Sequence, residues 1–184
     1  VHTTPNQPVR TDILTGPTAA TTALAFDPDR PRLVAAGDDA AVRIARGAVN
    51  AVAQLTPEQR SAGVVTFSAG NHGQGLAYAA RQFGTACTVF MTENAVPTKV
   101  AAIQGYGATT RQFPTIQQAV AEMERVREQT GAVFISPFAD EAVIAGQATV
   151  GLELLEQVEE LEQIVIPIGG GGMLSGVALV MKYL

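Results

Sequence analysis

The chain has 184 residues, with 12 Lys and Arg against 17 Asp and Glu and a net charge of −5. An acidic balance without a Lys/Arg cluster excludes a nucleic-acid partner, because such binding rests on neutralising phosphates. Hydrophobic residues at 47% and charged residues at 16% describe a globular protein of one domain or one and a half. The lone Cys87 excludes an internal disulfide and fits a cytoplasmic setting.

Residues 1–10 lack the charged-then-apolar order of a signal peptide. Pro5, Pro8, Pro17, Pro28 and Pro31 break up the first 40 residues, where one short helix or strand at most is predicted. A helical pattern covers 39–55, with Val42, Ala45, Val49, Val52 and Ala53 on one side. Apolar β-type runs then recur at 64–67, 86–91, 109–113, 132–136 and 164–168. Helix-like segments separate them, at about 75–82, 97–105, 116–130 and 141–161, and a last one follows at 173–182. This alternation predicts an α/β fold with a doubly wound parallel sheet.

Thr115 and Gln118 form a capping-box pattern ahead of a stripe of Ile116, Val120, Met123 and Val126, and Gly131 is the stop. Glu122 with Arg125, and Glu124 with Arg127, are i,i+3 pairs of a solvated face. Glu153, Glu156, Glu159, Glu160 and Glu162 are joined by no His or Asp, so no metal site is expected there. The uncharged stretch 164–181 is long enough to raise the question of a membrane span. Its five glycines and Pro167 point instead to a strand, a loop and a helix, so no membrane partner is expected.

Two loops carry chemistry. Gly169, Gly170, Gly171 and Gly172 lie between an apolar run and a helix, where backbone N–H groups and the helix N-terminus favour an anion such as phosphate. Met173 and Leu174 follow where a Walker A loop needs Lys and Ser/Thr, and no G-x-G-x-x-G register fits. The second loop, Ser-Ala-Gly-Asn-His-Gly-Gln-Gly at 68–75, follows the 64–67 strand, at the sheet end where open α/β folds bind ligands. It offers a hydroxyl, an amide, an imidazole and free N–H groups to a carboxylate and the polar edge of a ring. His72 has no identifiable carboxylate partner and is given no acid–base role; Cys87 lies in an apolar strand and reads as core.

Together with Pro97-Thr98-Lys99, the 105–108 run Gly-Tyr-Gly-Ala, and Val143-Ile144-Ala145-Gly146-Gln147 with Thr149, these loops resemble the fold type II pyridoxal-phosphate enzymes, which share the tryptophan-synthase-β-like fold. The nearest branch is that of threonine/serine dehydratases (ammonia-lyases) and serine racemases. The resemblance runs from about residue 46 to 184. It implies pyridoxal phosphate as cofactor, with its phosphate on Gly169, Gly170, Gly171 and Gly172 and its ring contacted by Asn71. It further implies a substrate carboxylate held by Ser68, Ala69, Gly70 and His72. Ala69 stands where racemases carry a second serine, which favours the dehydratase side.

One departure concerns the covalent anchor. The family's Ser-Phe-Lys-x-Arg-Gly-Ala motif ends here in Arg46-Gly47-Ala48, and counting back puts Ile44 at the Schiff-base lysine. Arg43 cannot substitute, because its guanidinium stays protonated with delocalised lone pairs. The only lysines, Lys99 and Lys182, read as surface residues. No catalytic residue is therefore assigned, and whether the cofactor is retained becomes the central question.

The expected organisation is a divergent segment at 1–45, a small α/β domain at 46–148 and a partial, truncated large domain at 149–184. The 164–168 strand is expected to lack neighbours and to leave an edge that a homodimer or partner chain covers. The expected function is a lysine-less derivative that binds a small phosphate- or carboxylate-bearing molecule, or runs a cofactor-free reaction in the inherited pocket. The alternative is a working L-threonine/L-serine ammonia-lyase giving a 2-oxo acid and ammonia.

Overall fold

The computed structural model describes residues 22–26, 32–37 and 41–184, with side chains from residue 45 onward. Strands β3 (Val64–Phe67), β4 (Cys87–Thr92), β5 (Thr109–Phe113) and β6 (Val133–Phe134) form one parallel sheet in the order β5-β4-β3-β6. Short β-branched and aromatic runs separated by helices leave parallel pairing as the economical solution, and such a sheet is covered on both faces.

The covering follows strand alternation. Val64 and Val89 face a core built with α1 (Ala41–Ala53) and α3 (Asn71–Phe83), which also takes in Leu76, Ile103 and Cys87. Val65 and Phe90 face the other way, against Ala119 and Met123 of α5 (Ile116–Thr130). Leu76, Phe90 and Ile103 are fully buried, each contributing about 1.5–3 kcal/mol. Thr115 caps α5 by accepting from the Gln118 N–H, and Gly131 ends it in the left-handed region. The predicted stripe shifts there: Ala119 and Met123 are buried, while Ile116 in the first turn is exposed.

Several expectations are corrected. The N-terminal segment contains two strands, β1 (Thr22–Phe26) and β2 (Arg32–Gly37), paired antiparallel. The last strand, β7 (Gln163–Val165), does not extend the main sheet and is not without neighbours; it pairs in parallel with β2 in a separate sheet, β1-β2-β7. Helix α3 begins at Asn71, not near residue 75, because Ser68 and Gly70 set up its first turn. A further helix, α2 (Pro57–Ala62), was missed although it carries a full capping box between Thr56 and Gln59 and Pro57 at its start.

Helix α4 (Pro97–Gly105) connects β4 to β5. Helix α6 (Glu141–Gln157), capped by Asp140, packs between α1 and α7 (Gly172–Tyr183). It stops four residues short of the predicted end. Arg46 of α1 makes a two-pronged ion pair to Glu153 of α6, at 2.5 and 2.8 Å, and reaches Thr149 at 3.1 Å. Asn50 donates to the Ala142 carbonyl at 2.7 Å. A Cβ on Gly176 of α7 would lie 2.5 Å from the Ile144 carbonyl oxygen, so α7 sits almost directly on the α6 backbone.

Candidate functional site

The turn leaving β3 is held by Ser68, whose Oγ accepts from the N–H groups of Gly70 (3.3 Å) and Gly73 (3.1 Å). That uses the oxygen as an acceptor and leaves its own proton to donate outward. Ala69 packs against the main core, and nothing lies within 4 Å of where a Cβ on Gly70 would stand. Asn71 opens α3, and its Oδ1 is buried with no hydrogen-bond partner. A buried acceptor left unpaired is costly, so this atom is matched to a donor that a ligand would bring.

His72 lies 3.0 Å, through Nε2, from the Ile135 carbonyl oxygen. A carbonyl only accepts, so Nε2 carries the proton and Nδ1 keeps its lone pair in the neutral ring. Burial pushes its pKa below the ordinary histidine value, against the opposing pull of the Ile135 hydrogen bond and the Asp140 charge. The thiol of buried Cys87 is pushed up to about 12 by burial, which leaves it without nucleophilic character.

The glycine loop forms the second half. Gly171 has φ +91° and serves as N-cap of α7, with no side chain capping the first turn. The first-turn N–H groups of α7 are thus capped by no side chain, and such groups favour an anion. A Cβ on Gly170 would lie 2.5 Å from Cδ1 of Phe138, and one on Gly172 2.6 Å from the Pro137 carbonyl oxygen. The sequence reading missed this segment, 135–138, which touches both halves. Its signal was Ser136-Pro137 directly after an apolar run, with Asp140 as the next helix cap.

Lys99 lies in the first turn of α4 and Lys182 near the end of α7; neither is on the two loops. The side chain of Ile44 lies outside the described residues. Among the described residues no helix is long and apolar enough to cross a membrane.

The fold and its two loops define a parallel α/β protein with a buried, unpartnered amide at one strand end and a glycine-lined helix start. A family model described as pyridoxal-phosphate dependent enzyme matches residues 45–184, and the chain belongs to that family. It is 45% identical over 138 residues to an L-threonine ammonia-lyase of Thermotoga maritima, covering 74% of this chain and 34% of the relative. It is 46% identical over 140 residues to the serine racemase of Dictyostelium discoideum, covering 76% and 43%. Among solved structures, threonine deaminase isoform 2 of Solanum lycopersicum superimposes with a TM-score of 0.77 at 31% identity, covering 88% of this chain and 50% of that one. Maize serine racemase does so with a TM-score of 0.76 at 41% identity, covering 82% and 47%. The chain thus spans between about a third and a half of these relatives. Ile44 falls immediately before the first residue matched by the family model.

The residues fit the ring and phosphate ends of pyridoxal phosphate. The unpartnered Asn71 Oδ1 suits a polar ring edge, and the uncapped first turn of α7 behind Gly171 suits the phosphate.

Proposed function

We propose that this chain is a lysine-less member of the threonine dehydratase and serine racemase branch. It binds a small phosphate-bearing ring compound, pyridoxal phosphate itself or a close analogue, without a covalent bond from position 44. The observation that carries this is the orphaned Asn71 Oδ1 beside the Ser68 turn, with the glycine loop as phosphate end. When bound, the cofactor supplies an electron sink. The chain's own groups would do the rest: Gly170, Gly171 and Gly172 offer N–H groups to the phosphate, Asn71 orients the ring, and the Ser68 hydroxyl together with backbone N–H groups of the Ala69, Gly70 and His72 turn binds a carboxylate. We assign residues 46–148 to the small domain and 149–184 to part of the large one. The buried Cys87 is in keeping with a cytoplasmic setting.

The deciding experiment mixes purified protein with pyridoxal phosphate, records the visible spectrum, reduces with borohydride and maps any modified lysine. Binding with no modified lysine supports the reading. A stable adduct on Lys99 or Lys182, with 2-oxo acid released from threonine, sinks it.

A second reading is a working L-threonine/L-serine ammonia-lyase, supported by the 45% identity to the Thermotoga enzyme. It predicts elimination of water and release of ammonia, read directly by an ammonia assay. We also propose that a second copy of this chain covers the side of β7 that has no strand partner among the described residues, where Val165 and Ile168 are exposed with Leu179 and Tyr183 of α7. A monomer in light scattering would refute that.

A further inference from the structure

We propose that His72 is a positioning residue for the glycine loop, acting through the Ile135 carbonyl, so that the ring end and the phosphate end of the site are set as one unit. The inference rests on the phosphate-binding reading above. It gives His72 a task other than acid–base chemistry, which its surroundings do not support.

The path is short and made of stiff parts. The Ile135 carbonyl accepts two hydrogen bonds, from Thr66 Oγ1 at 2.9 Å and from His72 Nε2 at 3.0 Å, which occupies both lone pairs. The N–H of Ile135 donates to the Val65 carbonyl at 3.0 Å. Residue 135 is thereby fixed from β3 on two sides and from α3 on the third. Thr66 and Ile135 are themselves buried.

Three residues then lead to the loop. Ser136 Oγ accepts from the N–H groups of Phe138 (3.4 Å) and Ala139 (3.1 Å), and Pro137 has a fixed φ and restricts its predecessor. Pro137 and Phe138 press on the glycine loop, since a Cβ on Gly172 or Gly170 would come within 2.6 or 2.5 Å of them. Little slack remains between Ile135 and Gly170. Thr66 lies within a central strand, whereas His72 is next to Asn71 in the first turn of α3. A ligand that draws on Asn71 therefore draws on the residue that sets the far end of its own site.

The test uses two variants that separate the hydrogen bond from the ring. His72→Gln keeps an N–H donor at a similar reach, and His72→Phe keeps the ring volume without the donor. Binding of pyridoxamine 5′-phosphate, which has no aldehyde to react with lysines, is followed by phosphorus NMR. In parallel, backbone amide signals are recorded without ligand. His72→Phe should bind roughly five- to ten-fold more weakly, the loss expected for one hydrogen bond. Its Phe138, Gly170, Gly171 and Gly172 amides should move while those of α5 stay in place. His72→Gln should restore both readouts.

Unchanged affinity with unmoved glycine amides in His72→Phe would overturn the proposal, as would a His72→Gln variant equally impaired. If the unaltered chain binds no phosphorylated ring, the functional reading falls, and the ligand-free amide shifts alone decide whether His72 sets the loop. Unmoved α5 amides confirm that the variants are folded.

Discussion

Gly146 of α6 and Gly47 of α1 meet with nothing between the two backbones: a Cβ on Gly146 would stand 2.7 Å from the Gly47 Cα and 2.6 Å from the Arg46 carbonyl oxygen. Neither atom is a flexible side-chain end. Gly146→Ala must push the helices apart, at a cost of about 1–3 kcal/mol. Gly105→Ala, at the end of α4 with open space around it, should change stability by less than about 1 kcal/mol. Urea denaturation of the two variants checks the contrast.

Asn71→Ala should move stability and binding in opposite directions. It removes a buried acceptor that has no partner, so the ligand-free protein should gain up to about 1 kcal/mol. The same change deletes the proposed ring contact and should abolish the thermal upshift given by pyridoxal phosphate. Melting curves with and without ligand read both effects.

Gly171→Ala and Gly169→Ala meet no atom within 4 Å, yet they should differ. Gly171 sits at φ +91°, where an L side chain is strained by roughly 1–2 kcal/mol, so this variant should distort the α7 N-terminus and weaken phosphate binding. Gly169 has no such φ and should be tolerated. Phosphorus NMR line shifts on titration with inorganic phosphate distinguish them.

Glu122 and His72 both contribute to the acid limb of stability, over different ranges. Hydrogen bonds from Arg125, then the charges of Arg111 and Arg125, hold the Glu122 carboxyl down to about 2 against the effect of burial. Its contribution is complete above the ordinary value of 4.5 and is lost as pH falls towards 2, so Glu122→Gln should flatten that range. His72 has its folded pKa lowered from 6.5. The unfolded chain takes up its proton first, so stability falls as pH drops below 6.5 and levels off once the folded histidine also protonates. His72→Gln should remove the dependence in this higher range, as read by denaturant midpoints at stepped pH.

What could be read from sequence was what local chemistry encodes. The Val64–Phe67, Thr109–Phe113 and Pro97–Gly105 boundaries were visible because β-branched runs, Pro97 and the following turn fix them without help from the rest of the fold. Both candidate loops stand out in sequence as glycine-rich strand exits. The pairing of β7 with β2 was not, since three residues of strand carry no mark of which partner they choose. Nor was the Ile135–Phe138 bridge, whose importance lies in a backbone carbonyl and a proline oxygen that no side-chain motif announces. The first turn of α3 reads as loop in sequence because its glycines hide the hydrogen bond from the Gly73 N–H to the Ser68 hydroxyl.

The second sheet also dictates an order of assembly. Strands β3 to β6 all lie within residues 64–134, whereas Arg32 must wait for Gln163. Pairing across so long a loop closes late, after the local contacts have formed. During refolding, amides of β3 and β4 should gain protection from exchange ahead of those of β7. A chain still emerging from the ribosome would carry the β1–β2 pair without its third strand until the glycine loop itself was about to appear.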